Sequence, residues 1–240
     1  MLSRSLMRFV APLASVTVLL AACGGAAAPA SATTAPTTAA ATTSTPAPSA
    51  NTSATATTVT TGTWAVSSTS KATVRVREQL VGVNLPSDAV LVATGATGTF
   101  VLQDDGTFSP DSKITFDVTT LASDQRDRDN FVKMDTLQTR QFPTATFVPT
   151  KTSGLALPLP ANGDFTFKLT GQITIHGKAK EVTFDVTGHR SGNELTATTT
   201  ASPTWKFADF GMTAPSVPFR VVSVVDEIRL VVELVATVKA

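Results

Sequence analysis

From Gly62 onward, apolar and polar side chains alternate along the chain. In "FTFKLTGQITI" the apolar positions are Phe165, Phe167, Leu169, Ile173 and Ile175, with polar residues or glycine between them. "EVTFDVTG" repeats the pattern at Val182, Phe184 and Val186, "KITFDVTT" at Ile114, Phe116 and Val118, and "EIRLVVELVATV" at every second residue from Ile228 to Val238. "KATVRVREQL" puts Ala72, Val74, Val76 and Leu80 on one face, with Glu78 breaking it. A period of two marks β-strands with one apolar and one wetter face. It favours an antiparallel sheet, because strands of a buried parallel sheet read as continuous apolar runs. Turn-forming stretches separate the strands: "DDG" at 104–106, "ANG" at 161–163, "HGKAK" at 176–180 and "SGN" at 191–193. Strands at this spacing predict an all-β sandwich or barrel.

One stretch interrupts the alternation. "SDQRDRDNF", Ser123 to Phe131, is the most charged run, with five charges in the six residues from Asp124 to Asp129 of a chain that is 15% charged. Ser123 or Asp124 can cap a short helix, and acidic residues in its first turn suit the helix dipole. Phe131, Met134 and Val132 are expected on its inward face, and the helix should end before Pro143. Three Asp against two Arg make it no simple anion-binding patch.

The N-terminal quarter follows another grammar. Arg4 and Arg8 precede an uncharged, mostly apolar run from Phe9 to Ala22, too short for an ordinary membrane span and suited to a secretory signal. It ends in Leu20-Ala21-Ala22-Cys23, which resembles a bacterial lipobox. That resemblance implies export, cleavage before Cys23 and lipidation of its sulfur, which would hold the chain to a membrane of the cell envelope. From Gly24 to about Thr60 the chain is nearly all Ala, Thr, Ser and Pro and carries no charge. Such a segment cannot bury enough apolar surface to offset its ordering entropy and is expected to be a disordered tether. The division is therefore 1–22 signal, 23–60 lipidated cysteine and tether, and 61–240 folded domain.

Composition narrows the chemistry. Formal net charge is +1; without Arg4 and Arg8, seventeen cations face eighteen acids, so nothing points to nucleic acid. Cys23 is the single cysteine, and no disulfide framework exists. The two histidines, His176 and His189, belong to no metal-ligand spacing, and no nucleophile, phosphate-loop or dinucleotide motif is present. No cofactor, metal or catalytic residue is assigned. His176, just before Gly177, reads as a turn histidine bonded to backbone. Phe occurs thirteen times, twelve of them between Phe100 and Phe219, and Tyr is absent. A closed sheet of about eight strands is either filled by such side chains or holds one small ligand; composition leaves both open.

Several stretches, in order, resemble the YceI-like family of bacterial secreted proteins. They are "TWAVSSTSKATVRVREQL", "SKITFDVTTLASDQRDRDNFVKMDTLQTRQFPTATFVPTK", "LTGQITIHGKAKEVTFDVTG", and "ADFGMTAPSV" followed by "VVDEIRLVVEL". The most specific pieces are Arg128-Asp129 with an aromatic after them, "FPTATF" (Phe142 to Phe147), and Leu169 to Val182. The resemblance implies a lipocalin-like closed antiparallel β-barrel of about eight strands, with one short helix in a long connection. It implies a pore that holds a polyisoprenoid, a quinone or another long-chain lipid, without catalysis. Arg128 and Asp129 are the residues it singles out, and Phe116, Phe131, Phe147, Phe167 and Phe184 are the expected pore phenylalanines. Ser70-Lys71 stands where many members carry His-Ser, which leaves the ligand's identity open. So is the oligomeric state, a homodimer included. Two other functions stand beside lipid binding: a structural or interaction module with a filled barrel, and an enzyme acting on a lipid or quinone, for which His176, Glu78 and Asp129 are the candidates.

Overall fold

The alternating stretches form one antiparallel sheet that closes on itself. The computed structural model describes residues 62–217 and 219–239; the signal, Cys23 and the tether lie outside the described residues. Ten strands build the sheet: β1 Trp64–Val66, β2 Lys71–Leu80, β3 Ser87–Ala93, β4 Thr97–Phe100, β5 Lys113–Asp117, β6 Thr144–Ser153, β7 Asn162–Ile175, β8 Lys178–Ser191, β9 Glu194–Ala201 and β10 Val221–Val238. Hydrogen bonding runs β1-β4-β5-β6-β7-β8-β9-β10, and β1 pairs with β10 to complete the ring. β2 lies in line with β1 along the same edge of β10, with Trp64 opposite Val238, Lys71 opposite Glu233 and Leu80 opposite Val221. β3 pairs with β2 as β4 pairs with β1. The ten strands are thus eight staves, two of them broken midway. This is the expected closed barrel of about eight strands with one short helix.

The breaks have local causes. Between β1 and β2, buried Ser70 turns its hydroxyl onto β10, accepting from the Val235 N–H at 2.9 Å and donating to the Val235 carbonyl at 3.2 Å. It stands in for the ladder bonds that a continuous strand would make. On β4, Gly98 has φ of 133° and runs so close to β5 that a Cβ would lie 2.0 Å from the Lys113 carbonyl oxygen. Only glycine fits both the angle and the approach.

The two ends of the barrel differ. At the end where β1 begins and β10 stops, Trp64 stacks on Phe100 with centroids 6.3 Å apart, and Phe108 packs edge-on to Phe100. The Arg190 guanidinium lies 5.0 Å from the Trp64 ring centre and donates to the Leu159 and Gly192 carbonyls. Buried polar donors need partners, and here the buried Arg190 is satisfied by backbone and an aromatic face. This end is a packed floor.

The other end is covered by long connections and tight hairpins. β7 and β8 pair without slip from Asn162–Ser191 to Ile175–Lys178. His176 and Gly177 join them with φ of 51° and 69°, the two positive angles of a type I′ turn. His176 Nδ1 lies 3.2 Å from the Phe210 carbonyl, which can only accept, so this turn histidine is bonded to backbone as expected. The connection from β5 to β6 carries α1, Arg126–Phe131, extended by one π turn, Val132–Thr136. The connection from β9 to β10 folds Trp205, Phe207 and Phe210 into the barrel end, where all three are buried.

Three expectations need correction. Neither Ser123 nor Asp124 is the N-cap: that position falls to Gln125, one residue later, without a side-chain cap bond. Ser123 is instead tied to Asp129, as described below. Met134 does not face inward but is 48% exposed. The π turn, seen in the Leu137 N–H to Val132 carbonyl bond, adds a residue to the turn and rotates Met134 outward. Glu78 does not break the alternation of β2 either; it keeps the inward phase and is buried.

Candidate functional site

Between the floor and the covered end the barrel is hollow. The cavity has a volume of about 750 Å³. Its emptiness follows from small residues on two staves. Ala72 and Ala93 face each other across β2 and β3, and Ala89 lies opposite Val76; all point inward and are buried. The rest of the wall carries larger groups, including Phe116, Phe147, Phe184 and Ile173. Phe147, Phe184, Trp205 and Phe210 form a continuous edge-to-face chain with centroid spacings of 5.3, 5.9 and 5.3 Å. Such packing fixes the rings and keeps them from collapsing into the space.

The barrel wall is incomplete beside β3. Its free edge makes one bridge to the β5–β6 connection, between Val92 and Ala122. Above that bridge α1 and the π turn take the place of a strand, and Phe131, Val132 and Leu137 fill the wall from the side. The mouth lies among α1, the β2–β3 hairpin and the segment leading into β10. There β10 carries a bulge: Val224 pairs with Glu78 and Ile228 with Val76, so four residues on β10 span two on β2. β9 stops pairing with β10 at Thr200 and Val231, and beyond it Trp205 pairs with Ile228.

Among the described residues, the charged side chains that line the cavity are Glu78, Asp127, Arg128 and Arg220, all at this mouth. Arg128 on α1 donates to Glu78 at 2.6 Å and to Asp124 at 2.6 Å, with Ser123 Oγ at 3.3 Å. The Arg128 and Glu78 side chains are 17% and 8% exposed. Asp129 does not reach the cavity; it accepts from the Ser123 N–H at 2.8 Å and from the Ser123 hydroxyl at 2.6 Å. Asp127 pairs with Arg220 at 3.1 Å across the mouth. The charged run Ser123–Phe131 is therefore a clasp that ties a helix to β2 and to the start of β10.

The expected pore residues divide. Phe116, Phe131, Phe147, Phe184 and Arg128 line the cavity. Phe167 does not: it packs beside Phe165 in the filled lower half of the barrel. The three acid–base candidates are not brought together, since Glu78 bonds Arg128, Asp129 bonds Ser123 and His176 bonds the Phe210 carbonyl. Sequence reading missed Glu78 as an inward partner, the Trp205–Phe210 plug, and Val81, Val83 and Phe219 at the mouth. The inward phase of Glu78 was visible in the alternation; the others stand in connections that carry no period.

Residues 64–236 match the YceI-like domain family, 173 of the 240 residues. The chain belongs to the YceI-like family. A Pseudomonas putida strain F1 relative called UPF0312 protein is 34% identical over 124 residues, which is 46% of this chain and 61% of the relative. The chain thus spans less than two thirds of the curated relatives it matches. Among solved structures, a polyisoprenoid binding domain from Saccharophagus degradans superposes with a TM-score of 0.55 at 11% identity, covering 73% of this chain and 98% of that one. BcnA of Burkholderia cenocepacia does so with a TM-score of 0.51 at 23% identity, covering 70% and 96%. At these identities the likeness is one of fold. Each of those chains is almost wholly this barrel, so the YceI-like fold stands as a unit by itself.

Proposed function

We propose that this YceI-like domain is a non-catalytic carrier of a polyisoprenoid or similar long-chain lipid. The observation that carries the reading is the hollow, apolar, single-mouthed barrel, which speaks against a filled structural module. A methylene is about as large as a water, which occupies about 30 Å³, so 750 Å³ accommodates roughly 25 carbons. At about 0.8 kcal/mol per buried CH₂, that many carbons give about 20 kcal/mol of gross transfer energy. The cost of association and of ordering the chain is subtracted from this. Precise hydrogen bonding is unnecessary for affinity on that scale. The tail runs toward the floor, and Arg128 and Gln125 present polar groups to the head at the mouth. The Saccharophagus degradans neighbour, a polyisoprenoid binding domain, supports the ligand class.

In the same reading the chain is exported, and lipid on Cys23 anchors it outside the cytoplasm; mass analysis of the mature N-terminal peptide checks this. For the ligand, residues 62–240 are loaded from methyl-β-cyclodextrin with polyprenol or ubiquinone and weighed by native mass spectrometry. A 1:1 complex is expected. A domain that carries no extractable lipid and takes up neither compound removes the proposal.

A further inference from the structure

The mouth of the cavity is surrounded by apolar side chains that face water. Val81, Val83 and Leu85 on the β2–β3 hairpin are 53%, 46% and 75% exposed, and Phe219, Val222 and Val225 at the start of β10 are 95%, 65% and 46% exposed. They form one lip, because the Val81 N–H bonds the Arg220 carbonyl and Leu80 pairs with Val221. Val81, Val83 and Phe219 also line the cavity, so lip and lumen are one continuous apolar surface. Phe219 is held at φ of 64°, a region that bulky L-residues avoid, with its ring in solvent. Nothing within the described barrel compensates that residue for either cost. A clustered apolar patch of this kind marks a contact surface.

We infer that this lip is a bilayer-contact surface, through which the cavity exchanges its ligand with a membrane. The inference rests on the lipid-carrier reading: such a ligand resides in a bilayer, and a lip continuous with the lumen lets it pass without crossing water. Of the cations beside the lip, Arg220 pairs with Asp127 at 3.1 Å, and Arg77 and Arg229 share Asp88 at 3.3 and 2.8 Å. Contact is therefore driven by apolar insertion rather than by attraction to anionic lipid. The chain's geometry permits it. The described chain begins at the floor, the far end from the lip, and β10 with its eighteen residues is about 60 Å long. Residues 23–61, fully extended, reach about 130 Å, enough for the lip of an anchored domain to turn back to the same bilayer.

The test uses residues 62–240, vesicles of pure phosphatidylcholine, and the variant Leu85→Asp/Val222→Asp. Neither residue lines the cavity, and both are exposed, so circular dichroism should match the parent. The milder Leu85→Ser/Val222→Ser serves if it does not. The parent should float with the vesicles, with little change between low and high salt, and the variant should bind at least tenfold more weakly. Polyprenol transfer from vesicles should fall with it, while loading from cyclodextrin stays unchanged. Equal binding of parent and variant, binding only to anionic vesicles at low salt, or light scattering that shows a dimer dissolved by the variant each overturns the inference. Failure of cyclodextrin loading in the parent counts against the carrier reading and leaves the vesicle result to judge the lip.

Discussion

Arg128→Met removes the cation that faces Glu78 in the mouth of the barrel. At 2.6 Å, and with an effective dielectric constant of about 20, the Coulomb attraction of the pair is about 6 kcal/mol. Desolvating two such ions costs several kcal/mol each, so the intact pair is close to neutral for stability. Removing one partner is not neutral: Glu78, 8% exposed, keeps its desolvation cost and loses its compensation. The expected loss is about 3 kcal/mol, at the low end for broken buried pairs because Arg128 retains some exposure. In a domain of this size that lowers Tm by about 6–12 °C. Glu78→Leu should cost less, about 1–2 kcal/mol, because Arg128 keeps Asp124 and Ser123, while Glu78→Leu/Arg128→Met should return to within about 1 kcal/mol of the parent. Urea denaturation of residues 62–240 reads this directly, because Trp64 and Trp205 are the only tryptophans and both are buried. Single variants that each cost under about 1 kcal/mol, or a double variant that costs their sum, would refute the clasp.

Gly98→Ala should destabilise by more than about 2 kcal/mol, since φ of 133° and a Cβ 2.0 Å from the Lys113 carbonyl leave no room; thermal melts check it. Ala93→Phe points a ring into the lumen opposite Ala72 and should abolish polyprenol loading while leaving the unloaded domain's Tm within a few degrees, as native mass spectrometry and calorimetry will show. Acid should weaken the barrel in a defined window. Hydrogen bonding to Arg229 holds the Asp88 carboxyl below the usual carboxylate range, and Lys180 does the same for Asp209. Both pKa values are lower folded than unfolded, so the stabilisation is complete above about pH 4 and fades as pH falls through the folded values. Melts from pH 6 to 2.5 should show this fall, and Lys180→Met should reduce it; a profile in which Lys180→Met changes nothing contradicts the pairing.

The barrel was legible because side-chain period is a local property. β7, β8 and the part of β10 from Ile228 onward alternate, and their faces came out as read. Depth along the barrel axis is not local. Phe167 and Phe184 both point inward by phase, yet one lies below the floor of the cavity and the other lines it, because stagger between staves sets height. Glu78 shows the same limit in another form. Its phase was in the sequence, but its tolerance inside depends on Arg128, fifty residues away. The helix face failed at Met134 because one π turn shifts every later position. The lip residues carry no pattern at all, since hairpin tips and bulges answer to their neighbours in space.

The floor built from Trp64, Phe100, Phe108 and Arg190 has a consequence for what a cell would find inside this domain. A tube stopped at one end acts as a ruler. A chain shorter than its depth leaves a void that stays empty and weakens the complex, and a longer chain leaves its surplus units outside. Homologous polyprenols should therefore rise in affinity unit by unit and then level off, and the plateau would mark the distance from Trp64 to the rim.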